Sequence, residues 1–493
     1  MRGVLRWLHA QHFGLTALNS AALKHSAKVS LVSIELFERP TVLRLPFKFG
    51  AAVVTECPQA FVRVRILVEG HTANGLDTVF EGASAELMVP KWFDKAPQLS
   101  HEENFDQLRL SCQLARAAFL EAGSGPRSAF ALSQIGGQSS IFLALAQGLP
   151  RLAAQFGPAL LDKAIADALL RCLKLNWAQG LQAGVLGDPY HAGLNIQSPA
   201  KVFARHTVGM VDRLVESDPG VDPQDGLPAT LEAAIQTYGL SYFKLKLSGR
   251  SPDDIERLCR IQAVIAKVAN AHVTLDGNET FESAEQLGAY WRKLKETANL
   301  APLLHQILYL EQPLARSVAL VESIQDIGLD IPVILDESDD HPDVLKQGLA
   351  LGYSGISSKA CKGIYRSMQS AFLLHQRRDL APHLLLSGED LTCQAGLAVQ
   401  QDTFLAASLG VTHIERNGHH YVHGFGSAPP EEALSFAKGH PSIYESSGKQ
   451  GPRLRIRDGQ LDLQSLYVPG FASKTFPIWE SLNVMPTFPS RNI

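Results

Sequence analysis

Charged side chains recur at regular intervals through the second half of the chain: Lys244 and Lys246, then Asp276, Glu311, Asp336 with Glu337, Lys359, Glu389 and Glu415, spaced 23 to 35 residues apart from Lys246 onward. Three carboxylates in successive segments suit a hard divalent cation such as Mg²⁺, which takes carboxylate oxygens and leaves positions for water and substrate oxygen. Lysines on either side of such a cation could remove a proton and return it, or hold developing negative charge, provided nearby cations lower an amine's pKa. That is proton chemistry next to a carboxylate. The competing reading is that each acid only caps the helix after its strand; three in successive segments flanked by lysines weigh against it.

The elements that must position these residues can be read from the same stretch. "FKLKLSG" puts Lys244 and Lys246 on one face of a strand and Phe243, Leu245 and Leu247 on the other. Short apolar strands of this kind recur at "HTVGMVD", "SYFKLKLSG", "HVTLDGN", "QILYLEQP", "IPVILDES", "YSGISSK", "HLLLSGED" and "VTHIERNG". Between them lie helical patterns such as "DDIERLCRIQAVIAKVAN", with Ile255, Leu258, Ile261, Ile265 and Val268 on one stripe. Eight strands alternating with helices predict a (β/α)8-type barrel. An open doubly wound sheet would usually show a glycine-rich phosphate turn, and neither GxGxxG nor GxxxxGK[ST] occurs. In a barrel the strand ends converge on one rim, so the lysine face of "FKLKLSG" is expected to point into the mouth, where charge must be neutralised.

Ahead of the barrel, "VSLVSIELFERPTVL" and "AFVRVRILVEG" read as strands, and "FDQLRLSCQLARAAFLEAG" and "PALLDKAIADALLRCLKLNWAQG" as amphipathic helices. Strands followed by helices predict an α+β domain of their own. "RLPFKFGAAVVTECP" is the candidate loop over the barrel mouth, with Phe47, Lys48 and Phe49 near a substrate. The first 28 residues contain no acid and no continuous apolar core, and are set apart as an N-terminal extension.

Composition narrows the functional classes. The net charge is −4 with 45 Lys and Arg against 49 Asp and Glu, and no basic run is present, which argues against a nucleic-acid partner. The six cysteines are scattered without a CxxC pair, so no zinc knuckle or disulfide framework is indicated, and a cytoplasmic location fits best. No apolar run approaches the roughly 18 residues that a membrane helix needs, and no membrane partner is expected.

Taken in order, "KLK", "LDGN", "LEQP", "LDES" and "SSK" resemble the enolase superfamily, and within it the muconate lactonizing enzyme subgroup of the mandelate racemase/muconate lactonizing enzyme family. The resemblance runs from about Val29 to the end of the chain. It implies a capping domain over residues 29–190, a modified TIM barrel over 191–425, and a segment 426–493 that packs on both. By position it implies that Asp276, Glu311 and Asp336 bind Mg²⁺, or Mn²⁺ in its place. It further implies that Lys246 and Lys359 are the acid/base pair and that Lys244 neutralises the substrate carboxylate or its enediolate. Asn278 and Glu337 match positions that support the metal ligands from behind. The expected partner is a small carboxylate with an acidic α-proton. The product is left open among racemisation or epimerisation, cycloisomerisation and dehydration, and a homo-oligomer is compatible with the sequence.

The sequence departs from relatives in two places. The seventh strand, "HLLLSGED", has His383 at its start rather than a histidine at its end, which disfavours a His/Asp dyad. The eighth ends "IERNGHHYVHG", where Glu415 and Asn417 only approximate the paired aspartates of dipeptide epimerases. Glu415, Arg416, His419 and His420 remain candidates for contact with substrate, and Phe49 for the mouth. A second metal site at His413, His419, His420 and His423 lacks any known zinc spacing. An amidohydrolase-type barrel would show HxH on its first strand, where "ARHTVGM" has only His206. A Schiff-base aldolase would need no metal carboxylates. A non-catalytic binding barrel has no reason to keep costly buried charges together.

Overall fold

The computed structural model describes residues 26–488 apart from 51, 74–75, 379–380, 392–393 and 447–450. Most of the N-terminal extension and Cys393 therefore lie outside the described residues; the other five cysteines are free thiols. The polypeptide begins with three long strands, β1 (Val29–Phe49), β2 (Ala52–Ala73) and β3 (Leu76–Leu87), in an antiparallel meander. The alternation in β2 has its expected result: Val62, Val64 and Ile66 are fully buried. Arg63 and Arg65 face outward, where both meet Glu81, Arg63 at 2.6 Å and Arg65 at 3.4 Å.

Helices His101–Ala122 and Phe156–Leu173 cover the inner face of this sheet. The first starts with a capping box at Ser100 and Glu103, which satisfies two free amides at the helix end. The second packs so closely on β3 that a Cβ on Gly82 would stand 2.2 Å from the Ala164 carbonyl oxygen and 2.4 Å from the Ala168 nitrogen. Polar contacts fix the register: Ser84 Oγ donates to the Leu160 carbonyl at 2.7 Å, and the Ala83 amide donates to Asp167 at 3.0 Å. One segment departs from the expectation that no run is long and apolar enough to span a membrane. The helical stretch Ala129–Ala146, which contains a wide turn at Ser133–Gly137, is long and apolar enough to cross a membrane by length and composition, although in the fold it packs against helix His101–Ala122.

Eight parallel strands follow: β4 (Lys201–Val208), β5 (Tyr242–Lys246), β6 (His272–Asp276), β7 (Ile307–Glu311), β8 (Val333–Leu335), β9 (Gly355–Ser358), β10 (Leu385–Gly388) and β11 (His413–Glu415). Each pairs with the next, and β11 pairs with β4 at Ile414 and Ala204, so the sheet closes into a barrel. The first strand starts earlier than its sequence pattern suggested, because Val202 and Ala204 already alternate into the interior ahead of "HTVGMVD". The later strands are shorter than their apolar runs, since the closing curvature ends pairing after three or four residues.

Past the barrel, β12 (Tyr444–Ser446) and β13 (Pro452–Leu454) form a hairpin. Then β14 (Gln460–Asp462) adds antiparallel to β4, and β15 (Asn483–Val484) adds to β1 of the first sheet. The final segment thus ties the two units together. His440 holds its start: the ring accepts from the Lys474 amide at 2.9 Å through Nε2, and Nδ1 lies 2.9 Å from the Ser465 carbonyl oxygen. Burial drives its pKa down to about 4.

Gly82→Ala should lower unfolding free energy by about 1–3 kcal/mol, because the methyl meets helix backbone that cannot yield; the midpoint of urea denaturation measures it. His440 binds its proton more readily unfolded than folded, so its contribution is intact above pH 6.5 and is lost as pH falls toward 4. The difference in melting temperature between pH 7 and pH 4.5 should therefore be smaller in His440→Gln than in the native chain, and an equal difference would remove His440 from the acid response.

Candidate active site

The carboxyl ends of β5 to β11 carry the charged residues into the barrel, and all of them are buried. Asp276 and Glu311 end neighbouring strands in register. Asp276 accepts from the Lys246 ammonium at 2.6 Å. Asp336, just past β8, accepts from Lys359 at 2.6 Å and lies 3.5 Å from Lys362. Burial alone would push both aspartates toward the neutral form, but Lys244 and Lys246 hold Asp276 below the usual carboxylate range, and Lys359 and Lys362 do the same for Asp336. Glu311 goes the other way: burial and the charges of Asp276 and Glu389 push it well up.

Backbone geometry prepares these positions. After β6 the chain turns through Gly277, where a Cβ would meet the Pro313 Cα at 2.7 Å, and Asn278 takes a left-handed conformation with φ 43°. That turn brings the Asn278 amide to Asp276 Oδ1 at 2.8 Å and its side-chain amide to Glu337 at 3.1 Å. Lys95 of the capping domain reaches down to the Asn278 carbonyl at 2.8 Å and to Glu337 at 3.3 Å. Gln312, with φ 31°, accepts from the amides of Asp336 at 2.8 Å and Ser338 at 3.1 Å. The side chain of Gln312 thereby splints the turn that presents Asp336.

Lys246 and Lys359 open onto one small pocket, together with Asn278 and Asp390. Its roof is apolar: Phe47 and Phe49 from the first sheet, Val89 and Trp92 from the connection after it, and Leu391 from the barrel. The Lys246 ammonium lies 5.7 Å and 5.9 Å from the ring centres of Phe47 and Phe49, and that of Lys359 lies 4.3 Å from Trp92. Strands β5 and β9 are four apart in an eight-stranded ring, so the two amines face each other across the mouth. Opposed carboxylates hold Lys359 well above its ordinary pKa against the effect of burial.

The stretch expected to be a loop over the mouth is a β-hairpin: β1 and β2 pair through Phe49 and Ala52, with Gly50 at the tip. Arg44 clamps it to the barrel. Its guanidinium meets Asp225 at 2.6 Å and the His420 carbonyl at 2.8 Å.

Lys244, Glu415 and His419, expected to contact substrate, do not line the mouth. Lys244 stands two residues before Lys246 on the same face of β5, about 6–7 Å deeper. Its ammonium is surrounded there by Asp276 at 2.9 Å, Glu311 at 2.6 Å, Glu389 at 2.7 Å and Glu415 at 2.9 Å. Glu415 is held in the same layer by Thr207 at 2.5 Å, Asn417 at 3.0 Å and the Asp390 amide at 2.9 Å. The helical turn Gly418–Tyr421 carries His419 back toward β4, where its Nε2 lies 2.9 Å from His206 Nδ1; its ring borders a separate cavity with Tyr238 and Arg453. His420 faces Asp212 at 3.5 Å and Arg416 pairs with Asp402 at 2.9 Å, both away from the mouth.

Sequence reasoning also missed Lys362, Ser357, Gln312 and Arg205. Lys362 donates to Ser357 Oγ at 2.8 Å and meets Asp339 at 3.0 Å, while Ser357 donates to Asp336. Arg205 donates to Glu389. The "SSKACK" run and the Gln of "LEQP" carried the signal for three of them; nothing near Arg205 in sequence announces its partner.

Residues 227–448 match the family model of the enolase C-terminal domain-like proteins. Over that range the barrel is similar to an enolase C-terminal domain. Solved structures extend the likeness over nearly the whole chain. A muconate lactonizing enzyme from Mucobacterium smegmatis, complexed with muconolactone, is similar with a TM-score of 0.59 and 17% identity, covering 91% of this chain and 97% of its own. A dipeptide epimerase from Enterococcus faecalis V583, complexed with Mg and L-Leu-L-Tyr, gives a TM-score of 0.57 and 15% identity over 90% and 99%. An enolase from Bradyrhizobium, complexed with magnesium and mandelic acid, gives 0.54 and 14% over 88% and 93%. At these identities the likeness is one of fold. No curated protein matches the chain in sequence.

Among the described residues no three His, Cys, Asp or Glu side chains form a ready-made metal cage. The reason is visible in the ion pairs: ammonium groups stand between the carboxylates. The donor chemistry nevertheless fits a hard cation, because both Glu311 carboxylate oxygens are buried and accept no hydrogen bond, with Lys244 their nearest counter-charge. Arg44→Ala should loosen the roof of the cavity. Amide exchange in the Phe47–Val54 hairpin is expected to rise about tenfold or more, with exchange in the barrel strands unchanged; unaltered hairpin exchange would mean that Arg44 is not the clamp.

Proposed function

We propose that the protein is an enzyme that abstracts the α-proton of a small carboxylate, forming an enediolate, and returns a proton to give a racemised, epimerised or cycloisomerised product. The observation that carries this reading is that Lys246 and Lys359 enter one roofed cavity from opposite strands, each paired at 2.6 Å with a different buried aspartate. Two amines facing each other across a substrate can serve one as base and the other as acid. Phe47, Phe49 and Trp92 give the pocket an apolar wall, and an apolar wall that limits water would strengthen the charge interactions beside it.

Asp276, Glu311 and Asp336 would hold a Mg²⁺ ion, with Asn278 and Glu337 behind them. When bound, the ion supplies the positive charge that stabilises the substrate carboxylate as negative charge grows on it. The chain's own part is to orient and to move protons. Lys246 and Lys359 are each tethered by a carboxylate, which fixes the direction of the Nζ atom. A proton leaving the substrate on one side is accepted by one lysine in its neutral form, and the other lysine donates on the opposite side. The relatives crystallised with Mg, with a dipeptide or with muconolactone are consistent with a carboxylate ligand here. Loss of a β-group in place of proton return would give a lyase from the same residues. A cytoplasmic site of action accords with the free cysteines.

The deciding experiment is proton NMR in D₂O with Mg²⁺ over a panel of hydroxy acids, sugar acids, N-acylamino acids, dipeptides and lactones. A substrate is expected to lose its α-proton signal with the native chain, and Lys246→Ala and Lys359→Ala are each expected to reduce turnover by about 10²-fold or more. Exchange that persists at the native rate in both variants would remove the two lysines from the mechanism. EDTA should abolish exchange, and Mg²⁺ should restore it.

A further inference from the structure

The position of Lys244 is unlike that of the other two lysines. Lys246 and Lys359 are tied to one aspartate each, whereas the Lys244 ammonium touches four carboxylates within 2.9 Å. The four fall into two pairs. Asp276 and Glu311 belong to the set that would hold a cation, and Glu311 has no hydrogen-bonding partner of its own. Glu389 and Glu415 do not belong to that set, and both are fixed by other groups. Glu389 accepts from Arg205, Ser387 and Tyr309, the last at 2.8 Å. Glu415 accepts from Thr207 at 2.5 Å, Asn417 at 3.0 Å and the Asp390 amide at 2.9 Å.

We propose that Lys244 is a positioning residue, the cation that neutralises Asp276 and Glu311 in the absence of metal and that Glu389 and Glu415 draw clear of their oxygens when a divalent ion enters. The inference rests on the reading that Asp276, Glu311 and Asp336 take such an ion. Its physical basis is that an ammonium and a divalent cation cannot both occupy the space between Asp276 and Glu311. One must give way, and an amine leaving two carboxylates in a dry interior needs two others to keep it charged. The anchored pair supplies them without moving. Glu389 and Glu415 therefore set the affinity for metal although neither touches it.

The test is direct binding of Mn²⁺ and Mg²⁺, by calorimetry and by electron paramagnetic resonance of Mn²⁺, on the full chain without substrate. Glu415→Gln removes half of the receiving pair, so Lys244 competes harder for Asp276 and Glu311, and affinity is expected to fall about ten- to hundredfold. Glu389→Gln should act in the same direction. Lys244→Gln should raise affinity, and the double variant Lys244→Gln/Glu415→Gln should bind at least as tightly as the native chain. That rescue separates competition from simple damage, because a structural lesion in Glu415→Gln would not be repaired by a second change. Far-ultraviolet circular dichroism in EDTA checks that each variant is folded; if neither glutamate variant folds, Lys244→Gln alone decides by the direction of its change. Native metal affinity in Glu415→Gln and Glu389→Gln, or weaker binding in Lys244→Gln, would overturn the inference and leave the proposed function standing. Failure of the native chain to bind either ion would overturn both.

Discussion

The structure depends on charge balance inside the barrel. Lys244, Lys246, Lys359, Lys362 and Arg205 are each at most 8% exposed, as are Asp276, Glu311, Asp336, Glu389 and Glu415. An isolated charge in such a place is too costly to persist, so each group is held by the presence of the others. This ties six strands together electrostatically: β4 through Arg205, β5 through both lysines, β6 and β7 through their terminal acids, and β10 and β11 through Glu389 and Glu415. The barrel centre is thus a polar layer rather than a continuous hydrophobic filling. The same interactions that stabilise it leave two amines at its upper edge, tethered and aimed.

Around that centre the chain spends its remaining constraints on cover and support. The hairpin tip of the first sheet, the Trp92 connection and Leu391 lie over the mouth. The capping domain also reaches inside, through Lys95 to Asn278 and Glu337, and Gln401 of the barrel donates to the Ala83 carbonyl of β3 at 2.8 Å. The final segment adds one strand to each unit. Cap, barrel and tail are therefore one mechanical object, and the geometry of the mouth is set as much by β1 and β2 as by the barrel strands.

The barrel was legible in the sequence because its signal is periodic. Apolar strands alternating with amphipathic helices have few other solutions, and one charged residue per unit marks the rim. The acids and lysines of "KLK", "LDGN", "LEQP", "LDES" and "SSK" were legible for the same reason: each sits at a strand end, and strand ends share a rim. Lys362 and Gln312 were not singled out because their roles depend on turns whose left-handed or tightly packed backbone has no simple pattern. Arg205 was invisible because its partner Glu389 lies 184 residues away.

What the sequence determined by itself is the placement of carboxylates and paired amines on a barrel rim, under an α+β cap. The tertiary structure decided which layer each charge occupies. Lys244 and Lys246 share a strand face and differ by two residues, yet one is enclosed by four carboxylates and the other opens onto the mouth, because a strand descends about 6–7 Å over that interval. His419 and Glu415 follow the same rule at β11, where a single helical turn sends the imidazole back to His206. Alternation along a strand specifies the side of the sheet; depth within the barrel is set by how the closed ring staggers its strands, and that is a property of all eight together.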